Sequence, residues 1–268
     1  MSSRALVSVV IPNHNYGRFV GAAVESVLNQ DYRPMEVIVV DNGSTDDSLE
    51  RLTAFGDRIK VIAQDDHGQA GSRNRGLQES QGEFVALLDA DDTWKQGKLS
   101  RQMPLFRSPS VGLVYSSITV CGPDMEPQGV ELALHRGDCK TAFVNRVGAA
   151  IVIGGETTAV IRRSCLEKIG DFDQELSGAS GWDLFRRLAG ICEFDFVEEP
   201  LANYRHHGAN LHLQNHYVAQ YYEDLGRIYR NLFADPDWAT FRNRRFRVWT
   251  RIALMKARDL LRSGRDSA

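Results

Sequence analysis

Short apolar runs alternate with helical patterns over the first ninety residues. The strand-like runs are Val7 to Ile11, Glu36 to Val40, Lys60 to Ala63 and Phe84 to Leu88, and most are followed at once by polar residues. Between the first two runs, Phe19, Ala23 and Val27 recur at helical spacing. Continuous apolar strands that alternate with helices are typical of a parallel sheet covered on both faces. The pattern therefore predicts an α/β fold with a mostly parallel sheet flanked by helices.

The sequence also predicts the start of the second helix and a change in pattern after residue 94. A helix is expected from about Thr45, with Ser44 or Thr45 as its N-cap and acidic residues in its first turn. Beyond residue 94 the alternation weakens, and after Tyr204 the sequence becomes helical and rich in aromatic residues. We therefore expect an α/β domain over residues 1–210 and a helical C-terminal extension over residues 211–268.

Polar side chains follow three of the predicted strands. They are Asn13 and Asn15 after the first, Asp41 after the second, and Asp89, Asp91 and Asp92 after the fourth. In open α/β sheets, ligands bind at the carboxyl ends of the strands. We expect these side chains to gather along one edge of the sheet.

The acidic cluster Asp89-Ala90-Asp91-Asp92 is the most informative of these turns. Like charges this close repel, so the folded protein needs a counter-charge. A hard divalent cation such as Mn²⁺ or Mg²⁺ prefers oxygen ligands and would supply it. A solvated turn is the alternative. An EF-hand loop is excluded, because Trp94 stands where that loop needs glycine.

Composition and charge narrow the class of protein. The 268 residues are 43% hydrophobic and 25% charged, as in ordinary globular proteins, and the net charge of −3 argues against a protein whose whole surface binds nucleic acid. The four cysteines form no CxxC pair, which fits a reducing compartment. The N-terminus lacks the apolar core of a signal peptide, and no apolar stretch approaches the ~20 residues that span a bilayer. We expect a cytoplasmic protein.

Four ordered segments carry a resemblance to a known family. They are SVVIPNHNYGRFVGAAVESVLNQDY, EVIVVDNGSTDDS, GQAGSRNRG and GEFVALLDADD. Together they closely resemble family 2 glycosyltransferases of the GT-A fold, and the weaker segments GWDLFRRLA and LANYRHHGAN extend the likeness to about residue 210. The resemblance implies an inverting enzyme that moves a sugar from a nucleotide-sugar, with UDP expected because it is common in the family, to an acceptor hydroxyl.

The resemblance also implies roles for individual residues. Donor-binding roles fall on Pro12, Asn13, Asn15, Asp41, Arg73 and Asp89, and metal-binding roles fall on Asp91, Asp92 and His207. Turn or helix capping is the alternative for Asn13, Asn15 and Asp41. A surface ion pair is the alternative for Arg73.

The expected catalytic base is where the chain departs from the family pattern. Many relatives have an acidic pair before an aromatic residue and a further Asp, whereas this chain has Ser180-Gly181-Trp182-Asp183. Asp183 is the remaining carboxylate and the candidate base. It could instead stabilise the start of a helix, with Asp171 or Asp173 serving as base.

The tail from Phe241 to Arg265 contains nine basic residues and one acidic residue. A partly apolar helical face is expected from Phe246, Trp249, Ile252, Ala253, Lys256 and Leu260. Such a helix could dock on an anionic membrane, which suits a lipid-linked saccharide acceptor. It could equally pack on its own domain or on a second subunit, which would give a homodimer.

Three other functions compete with the glycosyltransferase, and one of them is a nucleic-acid binder that relies on the basic tail. A non-catalytic nucleotide-sugar-binding protein would explain the missing acidic pair. A nucleotidyltransferase also combines an α/β sheet, carboxylates and a metal, but it should have a glycine-rich, basic triphosphate loop near the first strand, which the sequence PNHNYG lacks. No P-loop, dinucleotide-binding GxGxxG or hydrolase GxSxG motif is present.

Overall fold

The computed structural model describes residues 4–176, 178–208, 210 and 215–263. Its first half supplies four parallel strands, β1 (Val7–Asn13), β2 (Met35–Asn42), β3 (Lys60–Gln64) and β4 (Phe84–Leu87), in the order β3-β2-β1-β4. The helices α1 (Gly17–Leu28), α2 (Ser48–Thr53) and α3 (Gly68–Glu79) connect them. The predicted α/β fold is confirmed.

The second half completes the sheet with mixed pairing. Its strands are β5 (Thr93–Trp94), β6 (Val111–Cys121), β7 (Pro127–Glu131), β8 (Val160–Arg162) and β9 (Glu193–Arg205), and its helices are α4 (Lys98–Gln102), α5 (Lys140–Asn145), α6 (Arg163–Ile169) and α7 (Ser180–Ile191). The order continues as β4-β8-β6-β9-β5, with β7 beside β6. β8 is antiparallel to both of its neighbours, whereas β9 is parallel to β6. Parallel pairing is therefore concentrated in β1 to β4, where apolar runs and helical patterns alternate most clearly in the sequence.

Alternating side chains of β1 reach opposite faces of the sheet and two different cores. Val9 and Ile11 pack with the buried face of α1, whereas Val10 packs with α3 and with helices of the second half. A Cβ built on Gly76 would overlap Cγ1 of Val10. Glycine at this position lets α3 lie directly on β1, so the N-terminus of α3 lies beside the strand ends.

Helix α2 begins at Ser48 rather than at Thr45. The N–H groups of Thr45 and Asp46 donate to Oδ1 of Asn15, at 2.7 and 3.3 Å, and the N–H of Ser44 donates to Oδ1 of Asp41 at 3.1 Å. These bonds hold residues 44–46 as a loop across the sheet edge. The predicted start at Thr45 is wrong, because the backbone N–H groups of residues 44–46 donate to the side chains of Asn15 and Asp41 and hold these residues in the loop.

The C-terminal extension contains α8 (Asn215–Ala234), a 3₁₀ helix (Pro236–Arg244) and α9 (Arg245–Ser263). Further 3₁₀ helices are Gly56–Arg58, Met103–Arg107 and Gly155–Thr158. Tyr229 and Trp238 of the extension are buried in the same hydrophobic cluster as Leu184 of α7. The extension thus packs directly on the α/β part, and the domain boundary at residue 210 stays a prediction.

The expected apolar face of helix α9 is divided between the protein core and the exposed surface. Val248 and Ile252 are buried, whereas Phe246 and Leu254 are 84% and 66% exposed. Of the residues expected on one apolar face, Ile252 meets the core together with Val248 at i, i+4 spacing, whereas Phe246 remains exposed. The side chains of Leu260 and Arg265 lie outside the described residues. Among the helices that are described, none combines the length and the apolar character needed to cross a bilayer.

Candidate active site

A cleft of about 430 Å³ opens where β1, β2 and β4 end. Strand ends contribute Pro12, Asn13, Asp89 and Asp91, and α3 contributes Arg73. The second half contributes Glu156, Gly181, Trp182, Tyr204 and Asn210. The topology therefore brings the polar strand ends together as expected, and the second half of the chain adds a further wall.

Asn13 and Asp41 form one buried unit at the ends of β1 and β2. Nδ2 of Asn13 donates to Oδ2 of Asp41 at 2.8 Å and to Oγ of Ser44 at 3.2 Å. Asn13 lines the cleft, whereas Asp41 lies behind it. Oδ1 of Asn13 is buried and accepts no hydrogen bond from the described part of the chain. Buried polar atoms are normally paired, so this oxygen is suited to accept a hydrogen bond from a ligand.

Asn15 is exposed and does not line the cleft. It adopts a left-handed backbone conformation with φ of 56°, which asparagine tolerates well. Its Oδ1 accepts the loop N–H groups of Thr45 and Asp46. The structure therefore gives Asn15 the capping role and does not bring it to the candidate donor site.

Arg73 is a buried cation held between two carboxylates. Its Nη2 lies 2.8 Å from Oδ1 of Asp89, and its Nη1 lies 2.7 Å from Oε1 of Glu156. Its side chain is only 2% exposed, so the alternative of a surface ion pair is wrong. Arg73 lines the cleft with both partners and fixes their positions.

Asp91 faces the cleft with an imidazole behind it. Its Oδ2 lies 3.1 Å from Nε2 of His207 and 3.3 Å from Nδ2 of Asn210. His207 is buried beneath the rings of Tyr16 and Phe19. Burial and the nearby charge of Asp89 raise the pKa of Asp91, and the hydrogen bond with His207 lowers it in part. Asp91 and His207 are thus brought together.

Asp92 points away from the cleft, although it follows Asp91 directly. Its Oδ2 accepts from Oγ1 of Thr157 at 2.5 Å, and its Oδ1 accepts from the N–H of Arg205 at 2.9 Å. Both oxygens therefore join the 3₁₀ helix Gly155–Thr158 and β9 to this turn. The structure does not support Asp92 as a metal ligand, since successive residues of the turn face opposite sides.

Asp183 also lies outside the cleft. Its Oδ1 accepts from Nη2 of Arg186 at 3.0 Å, and its Oδ2 accepts from Nε of Arg187 at 2.7 Å. The side chain is 7% exposed. The first turn of α7 directs residue 183 towards these arginines, so the geometry does not place Asp183 beside an acceptor. Asp171 and Asp173 do not line the cleft either.

A family model for glycosyl transferase family 2 matches residues 8–170, which is more than half of the chain. The chain belongs to glycosyltransferase family 2. The match spans β1 to β8 and therefore includes Arg73, the acidic turn after β4 and Glu156.

Curated relatives of this family 2 chain include an uncharacterised glycosyltransferase of a Nostoc species, 34% identical over 219 residues, covering 77% of this chain and 66% of the relative. Another is the Escherichia coli β-1,3-glucosyltransferase WfgD, whose name specifies UDP-Glc and α-D-GlcNAc-diphosphoundecaprenol. It is 33% identical over 117 residues, covering 43% of this chain and 46% of the relative. The matches thus span about half to two thirds of the relatives' own length.

Solved structures support the GT-A fold of this family 2 chain. The S. aureus protein TarS in complex with UDP-GlcNAc matches with a TM-score of 0.66 and 18% identity, over 90% of this chain and 72% of TarS. The mannosyltransferase PcManGT from Pyrobaculum calidifontis, in complex with GDP-Man and Mn²⁺, matches with a TM-score of 0.61 and 18% identity, over 100% and 81% of the two chains.

Several residues of the candidate site were missed by reasoning from the sequence. Tyr204 and Asn210 lie within the quoted segment LANYRHHGAN, so their position near His207 was a usable signal. Glu156 stands alone after Gly154-Gly155 and carries no motif that would single it out. Only the folded chain brings it to Arg73 and to the start of α7.

A divalent cation fits the Asp91 and His207 pair. Asp91 lines the cleft and offers a carboxylate oxygen, and the Nε2 of His207 lies behind it, 3.1 Å from Oδ2. Among the residues that the structure describes, no three His, Cys, Asp or Glu side chains form an all-protein cage. Mg²⁺ is commonly held by one or two carboxylates together with substrate phosphates, and imidazole and carboxylate both bind first-row metals. The donor set therefore suits a cation whose remaining ligands come from a diphosphate.

Proposed function

We propose that this family 2 chain is a metal-assisted, inverting glycosyltransferase that transfers a sugar from a UDP-sugar to an acceptor hydroxyl. The proposal rests on the position of Asp91. This carboxylate faces a cleft at the carboxyl ends of the strands, and His207 lies directly behind it. A parallel sheet of this kind binds nucleotides at that edge.

The nucleotide would occupy the part of the cleft beside β1. The Oδ1 of Asn13, which no described residue hydrogen-bonds, would accept an N–H of the base, and Asp41 would orient Asn13 from behind through the 2.8 Å hydrogen bond. Pro12 would pack against the base, since it lines the same wall. This arrangement gives Asp41 a positioning role rather than direct contact.

The diphosphate and sugar would lie towards β4 and α3. Asp91 and His207 would hold Mn²⁺ or Mg²⁺, which would stabilise the negative charge that develops on the leaving nucleoside diphosphate. Asp89 is held by Arg73, so one face of its carboxylate stays fixed beside the space for ribose or sugar. Arg73 is neutralised by two carboxylates and would act mainly by holding them.

We extend the proposal to a lipid-linked saccharide acceptor. The name of the relative WfgD specifies such an acceptor. Helix α9 carries the exposed apolar side chains of Phe246 and Leu254 among exposed basic residues such as Arg247 and Arg251. A basic surface with exposed apolar side chains suits contact with anionic lipid, where an acceptor of this kind would be embedded.

A thermal-shift panel tests the donor. UDP-Glc, UDP-GlcNAc and GDP-Man are each added with and without Mn²⁺, because a ligand that binds the native state stabilises it by about 2.7 kcal/mol at a hundred times its Kd. We expect one nucleotide-sugar to raise the melting temperature more with Mn²⁺ than without it. The same mixtures are then assayed for release of nucleoside diphosphate. Binding without turnover would support the non-catalytic alternative, and stabilisation by nucleoside triphosphates alone would support a nucleotidyltransferase.

A further inference from the structure

The second residue of helix α7 is Gly181, which lies beside the cleft and whose missing side chain leaves room for a carboxylate. A Cβ built on Gly181 would overlap Oε1 of Glu156 and lie 2.5 Å from its Cδ. Glu156 belongs to a 3₁₀ helix that lies 25 positions earlier in the sequence. Its carboxylate therefore occupies the space that a side chain at position 181 would fill.

The backbone around Glu156 is fixed on several sides. Gly154 and Gly155 both adopt positive φ, 70° and 54°, which glycine allows at low cost and which turns the chain into the cleft. The next residue, Thr157, donates through Oγ1 to Asp92 at 2.5 Å, and its carbonyl accepts Nε1 of Trp94 at 2.8 Å. Asp92, which faces away from the cleft, thus helps to anchor the segment that carries Glu156.

The Glu156 carboxylate is oriented by Arg73, whose Nη1 lies 2.7 Å from Oε1. The backbone N–H of Glu156 itself also donates to the carboxylate, and no other residue that the structure describes donates to Oε2. The side chain lines the cleft and is 14% exposed. An oriented carboxylate that lines the cleft can accept a proton from an acceptor hydroxyl bound within hydrogen-bond reach, as a general base must.

We propose that Glu156 is the general base of the transfer reaction, in the position left open by Gly181. The inference rests on the proposed function. As the acceptor oxygen bonds to the anomeric carbon, its proton passes to Oε2 of Glu156. The bond between the anomeric carbon and the diphosphate oxygen breaks, and the nucleoside diphosphate leaves with that electron pair. A single displacement of this kind inverts the anomeric centre.

The charges that face Glu156 are compatible with this role. They are Arg73 from α3 and Asp89 from the end of β4. Burial raises the pKa of Glu156, Arg73 opposes that rise, and Asp89 adds to it. A carboxylate with a raised pKa is a better proton acceptor than a free glutamate. Asp183, by contrast, is held on both oxygens by arginines outside the cleft.

Glu156→Gln tests the proposal, with Glu79→Gln as the matched control. Glu79 is paired with Lys60 and Arg75 outside the cleft, so the control also removes a charge from an ion-paired glutamate. The assay follows single-turnover release of nucleoside diphosphate from the most stabilising donor of the panel, with a GlcNAc-diphosphate lipid analogue or water as acceptor. We expect Glu156→Gln to lower the rate by roughly 10²–10⁴-fold while donor Kd stays within about threefold of wild type. The control should keep the wild-type rate.

A relocation variant separates proton transfer from the hold on Arg73. Glu156→Ala should be as slow as Glu156→Gln, and adding Gly181→Asp to Glu156→Ala should restore at least about tenfold of the rate, because the new carboxylate enters the vacated space. If Glu156→Gln folds poorly, the comparison of Glu156→Ala with and without Gly181→Asp still tests whether Glu156 is the base. A Glu156→Gln rate within about threefold of wild type, or a double variant no faster than Glu156→Ala, would overturn the assignment while the proposed function stands. A wild type that binds no nucleotide-sugar and releases no diphosphate contradicts the proposed function, and this inference with it.

Discussion

Asp183→Asn is the substitution that best distinguishes Asp183 from Glu156 as the catalytic base. Asp183 is almost fully buried and accepts hydrogen bonds from Arg186 and Arg187, so the amide would leave two cations without their counter-charge. Removing one partner of a buried ion pair costs about 3–5 kcal/mol. Arg187 keeps hydrogen bonds to the carbonyls of Ile169 and Asp171, both at 2.8 Å, which places the loss near 3 kcal/mol.

For a chain of this size, a loss of about 3 kcal/mol lowers the melting temperature by roughly 6–12 °C. The rate of sugar transfer per folded molecule should stay close to wild type, because Asp183 does not reach the cleft. Calorimetry and single-turnover transfer are measured on the same preparation, with Asp195→Asn as a control. Asp195 pairs with the exposed Arg136, so its loss should cost only about 0–1 kcal/mol. An unchanged melting temperature with a hundredfold slower transfer would refute this reasoning and return the base to Asp183.

Three further predictions follow from the site, the core and the tail. Asp91→Ala should abolish the Mn²⁺-dependent part of the stabilisation by UDP while the circular dichroism spectrum stays native; an unchanged metal effect would remove Asp91 as the ligand. Burial lowers the pKa of Lys98, so the unfolded state binds more protons and wild-type stability should rise with pH from 7 towards 10. Lys98→Met should remove that rise in a melting series, and equal slopes would contradict it. Phe246→Ser should weaken binding to anionic liposomes in a sedimentation assay, whereas Leu132→Ser, at another exposed apolar side chain, should not; equal losses would argue against docking through α9.

The residues at the sheet edge could be predicted from the sequence, because they directly follow recognisable apolar strands. Apolar runs that end in Asn13, Asp41 and Asp89 place those residues at the carboxyl ends of parallel strands, and the structure brings them to one edge. The orientation of single side chains in a turn was not predictable in this way. Asp91 and Asp92 are neighbours, yet only Asp91 faces the cleft.

The ion pairs of Asp183 could have been predicted from the local sequence, but the resemblance favoured a catalytic role instead. Arg186 and Arg187 follow at i+3 and i+4, which is the spacing of ion pairs on one helix face. Glu156 had no such signal. Its place depends on the tertiary approach of the segment after Gly154-Gly155 to Gly181, and neither segment predicts the other.

Turnover of a nucleotide-sugar is the direct test of metal-assisted sugar transfer in the cleft. The measurement is release of nucleoside diphosphate from UDP-Glc, UDP-GlcNAc or GDP-Man by the wild type and by Asp91→Ala, each with Mn²⁺ and a GlcNAc-diphosphate lipid analogue. We expect the wild type to release diphosphate from one donor with transfer of the sugar in inverted configuration, and Asp91→Ala to fall to background. Absence of turnover by a wild type that binds the donor, or equal turnover by the two proteins, would contradict the account.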